Sequence, residues 1–143
     1  MAYEDRQTPE DFTPDPQIEA AIRERLVDGK LACASAFAIV HALGAKPLHV
    51  GWTANTMEVR LDRCQLGLFG YPGKQGWDTH NVRDQPVPAG LQDALEAARD
   101  DEGTLSCATA WEIAAQFEAP RMLVGYVADT LKIKITPCQL GAF

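Results

Sequence analysis

Residues 103–143, GTLSCATAWEIAAQFEAPRMLVGYVADTLKIKITPCQLGAF, repeat residues 29–69, GKLACASAFAIVHALGAKPLHVGWTANTMEVRLDRCQLGLF, without a gap. At a constant offset of 74 positions, 16 of the 41 aligned residues are identical, and both copies end in Cys-Gln-Leu-Gly-x-Phe. The apolar residues in front of each copy also match, but at an offset one residue smaller. An insertion therefore lies in the turn that connects these residues to the copy that follows. The sequence therefore predicts a duplicated protein.

The length and charge of the chain limit its class. Its 143 residues, 46% of them hydrophobic, can fill one ordinary core or two small cores that share a buried interface. The net charge of −7 repels phosphate backbones and disfavours DNA as a partner. The sequence shows no signal peptide and no apolar run of roughly 18 residues, so we expect a cytoplasmic protein that does not bind membranes.

Changes in composition predict four segments. Residues 1–13 are acidic and polar and form an N-terminal arm. Residues 14–69 and 88–143 are the two repeats, each with its preceding helix. Residues 70–87 are rich in Gly and Pro and lack an apolar period, which indicates a linker.

Each repeat contains the same predicted series of elements. Apolar spacing predicts three successive helices, with Pro47 at the start of the third helix in the first repeat and Ser106 as the N-cap of the second helix in the second repeat. Alternating residues at 58–62 and 132–135 predict a strand after the third helix.

One set of residues resembles a helix-turn-helix unit. Ala114 is small enough for close helix packing, while Val124 and Leu131 have the spacing of core anchors. With a helix before it and a strand after it, each repeat resembles a small winged-helix domain. The resemblance implies a mainly α fold with small β-wings, in two tandem winged-helix-like repeats packed about a pseudo-twofold axis. It also implies that the short extended connector before the second helix pairs with the strand after the third helix. The ending Cys-Gln-Leu-Gly-x-Phe also resembles small tandem-repeat proteins of anaerobic bacteria, which implies no particular activity.

The third helix of a winged-helix domain can enter the major groove of DNA. On the predicted outer faces of the two third helices, Arg121 is the only basic residue. Each third helix instead carries a glycine beside an aromatic residue, Gly51-Trp52 and Gly125-Tyr126, which suits close approach and aromatic packing. We therefore predict that these faces bind protein, either a partner or a second copy in a homodimer. Packing of both aromatics in the core is an equal alternative.

The duplication contains all four cysteines, Cys33 and Cys64 in one repeat and Cys107 and Cys138 in the other. Cys33 and Cys107 lie in the first turn of a helix, which stabilises a thiolate. If the two pairs converge, four thiolates suit zinc or an iron–sulfur cluster. The alternatives are redox disulfides, or small apolar side chains in the core. The chain has no Cys-x-x-Cys motif, the strongest metal signal.

The leading hypothesis is a small metal- or iron–sulfur-binding sensor or accessory protein that uses the four cysteines and acts through protein contacts. The alternatives are a DNA-binding transcription regulator with tandem helix-turn-helix units and a structural interaction module with buried core cysteines. His41, His49 and His80 have no counterparts in the other repeat, so we assign none of them to the site. No phosphate-binding loop or nucleophilic triad stands out, and we expect no enzymatic activity.

Overall fold

A computed structural model describes residues 8–71, 77 and 81–142, which are mainly helical. The predictions for more than half of the acidic arm, for part of the linker and for the last residue of the second repeat lie outside these residues. None of the described helices is by itself long and apolar enough to cross a membrane. One pair of successive helices, Cys33–Leu43 and Pro47–Thr56, is together long and apolar enough to cross a membrane, but the two helices are bent by 119°.

The described residues divide into two compact units. The first unit consists of residues 8–64 and 139–142, and the second of residues 65–71, 77 and 81–138. The units thus differ from the two sequence repeats in the residues at the end of each repeat. The segment that follows Cys64 belongs to the second unit, and the segment that follows Cys138 belongs to the first.

The first unit contains three α-helices and two short strands: α1 Pro16–Arg25, β1 Lys30–Ala32, α2 Cys33–Leu43, α3 Pro47–Thr56 and β2 Arg60–Asp62. Local signals in the sequence explain where these helices begin and end. The Asp15 side chain accepts a hydrogen bond of 2.8 Å from the backbone amide of Gln17 at the start of α1. Gly44 ends α2 in the left-handed conformation, with φ of 63°. Pro47 opens α3, as predicted.

In the first unit β1 and β2 form a parallel pair, in which Leu31 lies opposite Leu61. Both leucines are buried, with Ile22 of α1 and Val50 of α3. The predicted pairing between the connector before the second helix and the strand after the third is therefore confirmed here. It closes a small core between the strand pair and three helices.

The second unit contains the same order of elements: α4 Leu91–Ala98, β3 Thr104–Leu105, α5 Cys107–Gln116, α6 Arg121–Thr130 and β4 Lys134–Ile135, preceded by a 3-10 turn at Val82–Asp84. The Ser106 hydroxyl accepts a hydrogen bond of 3.1 Å from the Thr109 amide, which confirms the predicted N-cap. Strands β3 and β4 are parallel, with Leu105 opposite Ile135. The second predicted pairing is therefore confirmed as well.

The segment predicted as a linker contributes to the core of the second unit. Trp77 is 2% exposed, and its indole N–H donates a hydrogen bond of 3.0 Å to the carbonyl oxygen of Leu66. Val82 is buried as well. An isolated aromatic residue among glycines and prolines gives no periodic signal, so the sequence alone did not mark Trp77 as a core residue.

Candidate functional site

The two cysteines of each repeat lie at the same end of its strand pair. Cys33 follows β1 directly, and Cys64 comes two residues after β2. In the second unit the Cys107 amide donates a hydrogen bond of 3.1 Å to the carbonyl oxygen of Pro137, the residue before Cys138. The parallel pairing therefore brings together two residues that are 31 positions apart in sequence.

The prediction of a four-cysteine site for zinc or an iron–sulfur cluster is wrong. Within the part of the chain that the structure describes, which includes all four cysteines, no three His, Cys, Asp or Glu side chains are placed to hold a metal ion. The cysteines are buried, between 5% and 8% exposed, and no disulfide joins them. Each unit contains only two of them. The sequence pattern was ambiguous because a duplication copies small core residues as faithfully as metal ligands.

The glycines of the third helices lie against backbone. A Cβ atom added to Gly51 of α3 would overlap the carbonyl oxygen of Leu140 and lie 2.7 Å from its carbonyl carbon. A Cβ atom added to Gly125 of α6 would overlap the carbonyl oxygen of Leu66 and lie 2.9 Å from its carbonyl carbon. Both glycines are therefore contact points for a chain segment, and a side chain at either position would displace that segment.

Each contacting segment begins in the repeated Cys-Gln-Leu-Gly motif, and we call residues 65–69 and 139–142 the two tails. Leu66 and Leu140 are buried in the units that receive them. The next residues, Gly67 and Gly141, have φ of 81° and 78°, which favours glycine. The motif and the helix glycines were visible in the sequence, but their contact was not.

In the first unit Trp52 packs in a group of three aromatic rings. Its ring centroid lies 5.3 Å from that of Phe12 and 5.6 Å from that of His49. Residue 12 belongs to the segment predicted as an arm, and Thr8 of the same segment accepts a hydrogen bond of 2.7 Å from the Asn55 amide group. The described end of the arm is therefore attached to α3.

The aromatic group of Phe12, His49 and Trp52 borders an open groove of about 630 Å³ between the arm segment and the α2–α3 turn. Leu43, which is 42% exposed, lies on the side of the groove formed by the turn. The charged residues of the groove are Asp11, Asp15 and Lys46. This groove combines exposed apolar surface with an excess of negative charge. No pattern in the sequence indicates this groove, because its residues come from separate elements.

The equivalent face of the second unit is covered by residues of the same unit. Tyr126, the counterpart of Trp52, lies 5.6 Å from the buried Trp77 ring, and the Arg83 guanidinium lies 5.1 Å from the Tyr126 centroid. Arg121 lies 3.7 Å above the Trp111 ring and donates a hydrogen bond of 2.7 Å to the Gln65 side chain. Both predicted contact aromatics, Trp52 and Tyr126, are half-buried.

Comparison of the chain with protein-family models, curated proteins and solved structures gives no match. The arrangement of residues within each unit is therefore the basis for assigning a function. It offers two kinds of contact, the groove of the first unit and the tail-binding glycines of both units.

Proposed function

We propose that the protein is a cytosolic protein-interaction module without enzymatic activity. Its groove binds a partner segment that carries one basic and one apolar side chain. The observation that supports this proposal is the groove of the first unit, where Leu43 and the rings of Phe12 and Trp52 lie beside the carboxylates of Asp11 and Asp15. Four buried thiols without a disulfide fit a reducing compartment.

Apolar exposure at the α2–α3 turn supports the apolar part of the partner segment. Among the residues that the structure describes, the large hydrophobic side chains that are exposed are Val27, Leu43, Leu48 and Val87. Two of them, Leu43 and Leu48, flank this turn, and Leu43 lines the groove. Exposed apolar surface next to polar residues is typical of interaction sites.

Charge supports the basic part of the partner segment. Asp11 and Asp15 outnumber Lys46 in the groove, and the chain as a whole has a net charge of −7. Such a field attracts basic segments and speeds their encounter. An arginine also stacks on tryptophan, as Arg121 does on Trp111 in the second unit.

Two observations weigh against the DNA-binding alternative. Helix α3 contains no Lys or Arg, and its His49 packs in the aromatic group. In α6 the one basic side chain, Arg121, contacts Trp111 and Gln65. Phosphate contacts require several cations on one face, and neither helix provides them.

We further propose that each unit is a reduced winged-helix domain. The order helix, strand, helix, helix, strand supports this proposal, since it has the helix-turn-helix pair between two paired strands. A single strand after the third helix would take the place of a wing hairpin. The predicted pseudo-twofold packing of the repeats stays a prediction.

The test is selection of a displayed random peptide library on the full chain. We expect the enriched peptides to share a Lys or Arg within a few positions of an aliphatic or aromatic residue. Leu43→Ser should weaken the best peptide by about tenfold, since it removes apolar contact. Val87→Ser is the matched control, because Val87 is also 42% exposed but belongs to the second unit.

A second variant separates the electrostatic contribution. Asp11→Asn should lower the association rate and reduce its dependence on salt, because it removes one carboxylate from the groove. Selection of acidic peptides, or equal losses for Leu43→Ser and Val87→Ser, would contradict the proposed function.

A further inference from the structure

The repeated tail contacts a glycine of the third helix in each unit. We propose that residues 139–142 of one molecule can bind to α3 of a second copy of this chain, so that two copies associate by exchanging tails. This proposal is independent of the groove, because it concerns the contact between Gly51 and Leu140.

The two receptor positions are equivalent. Gly51 and Gly125 are 74 positions apart, and each is preceded by a valine and followed by an aromatic residue. Both are buried, and both approach the carbonyl group of the tail leucine too closely for a Cβ atom. Each third helix therefore offers the same backbone contact to a tail.

The two ligands are equivalent as well. Each tail contains Gln-Leu-Gly, with its leucine buried and its glycine at φ of 81° or 78°. The glycine of this sequence adopts the same left-handed conformation in both places. A tail that fits one third helix therefore has the sequence and the local shape to fit the other.

The chain already binds each tail to the opposite repeat. Leu66 lies near the end of the first repeat and contacts Gly125 of the second, while Leu140 lies near the end of the second repeat and contacts Gly51 of the first. This is the pattern of a swapped pair, in which identical elements are exchanged between identical receptors. The contact itself does not require the donor and the receptor to belong to one molecule.

The tail at residues 139–142 is the one we expect to exchange. Gly67 of the first tail lies against the buried Trp77, whereas Gly141 of the second tail lies against Trp52, which is half-buried, and Leu48, which is 41% exposed. A tail on the same molecule competes at high effective concentration, so wild-type association should be weak.

Complementation between two full-length variants tests the exchange. Gly51→Ala blocks the receptor on α3 and leaves the tail intact, whereas Leu140→Asp damages the tail and leaves the receptor intact. Each variant alone should stay monomeric. An equimolar mixture should form a one-to-one dimer, measured by sedimentation velocity, because the intact tail then meets a receptor without an intramolecular competitor.

The control mixture pairs Gly51→Ala with the double variant that carries both changes, which provides no intact receptor on α3. It should stay monomeric. The test mixture is measured at about 100 μM, a concentration at which a weak interface still forms. If it is also monomeric, while both variants unfold cooperatively, the proposal is overturned.

A second measurement does not depend on the folding of either variant. Synthetic peptides with the sequences of residues 64–69 and 138–143 are added at about millimolar concentration to the wild-type chain, to compete with its own tail. Both peptides should shift the NMR signal of the Trp52 indole, which lies next to Gly141. Peptides with aspartate in place of the leucine should have no effect. No shift with either native peptide would overturn the proposal.

Discussion

The third helices of the two units differ in what covers their aromatic residues. In the second unit the buried Trp77 packs against Tyr126, and Arg121 bridges Trp111 and Gln65. In the first unit Trp52 packs on Phe12 and His49 beside an open groove. Two copies of one sequence have thus come to differ by what neighbouring segments add. The second face is covered by side chains of its own unit, whereas the first borders an open groove.

The largest effect that this comparison predicts is at the two tryptophans. Trp77→Ala should lower the free energy of unfolding by about 3–5 kcal/mol, because it removes a buried ring. Trp52→Ala should cost roughly 1–2 kcal/mol, since Trp52 is only half-buried. Urea unfolding of the full chain measures both values. Equal losses would show that the first face is packed as firmly as the second.

Trp77→Phe sharpens the same comparison. It retains most of the ring but removes the indole N–H that donates to the Leu66 carbonyl. That carbonyl is then left without this donor in a buried environment, so we expect an additional loss of about 1–3 kcal/mol beyond the small change in packing. A variant as stable as the wild type would show that the hydrogen bond does not fix the tail.

An intermediate effect is expected at Arg121. Arg121→Met keeps much of the aliphatic stem but removes the cation above Trp111 and the hydrogen bond to Gln65. Because Arg121 is exposed, we expect a loss of about 1 kcal/mol, measured by urea unfolding. The matched control is Arg23→Met on α1, an exposed residue of the first unit. A control that costs as much as Arg121→Met would contradict a stabilising role for the contacts of Arg121 with Trp111 and Gln65.

Local signals made most of the fold predictable. Gly44, Pro47 and Ser106 mark helix ends through caps and backbone preferences that depend on a few adjacent residues. The strands themselves were predictable from the alternating residues around Leu61 and Ile135. Their pairing was implied by the resemblance to a winged helix, because the paired residues, such as Leu31 and Leu61, are far apart in the sequence.

The candidate site was less predictable for a physical reason. Because both tails and both helix glycines are alike, the sequence is the same whether Leu140 contacts Gly51 or Gly125. Only the path of the chain decides between them. The cysteines were equally ambiguous, because buried thiols and ligating thiols both recur in a duplication.

The smallest effect is expected in the turn before the first strand of each unit. In the first unit the Val27 amide donates to the Lys30 carbonyl across a turn of two intervening residues. In the second unit the turn is one residue longer, and the Asp100 amide donates to the Thr104 carbonyl. The insertion inferred from the sequence therefore lies here. The Asp100 carboxylate accepts hydrogen bonds from the hydroxyl and amide of Thr104, and these lower its pKa.

A pKa of Asp100 lowered in the folded state makes the charged carboxylate stabilising at neutral pH. This contribution is present above the ordinary pKa of 3.8 and is lost as the pH falls through the lower folded value. Asp100→Asn should therefore reduce the melting temperature slightly at pH 7, by less than Arg121→Met, and the difference from wild type should shrink below pH 3.8. Asp101→Asn is the control, since Asp101 is adjacent to Asp100 and is also exposed. A difference that persists unchanged at low pH would mean that Asp100 holds the longer turn by its shape and not by its charge.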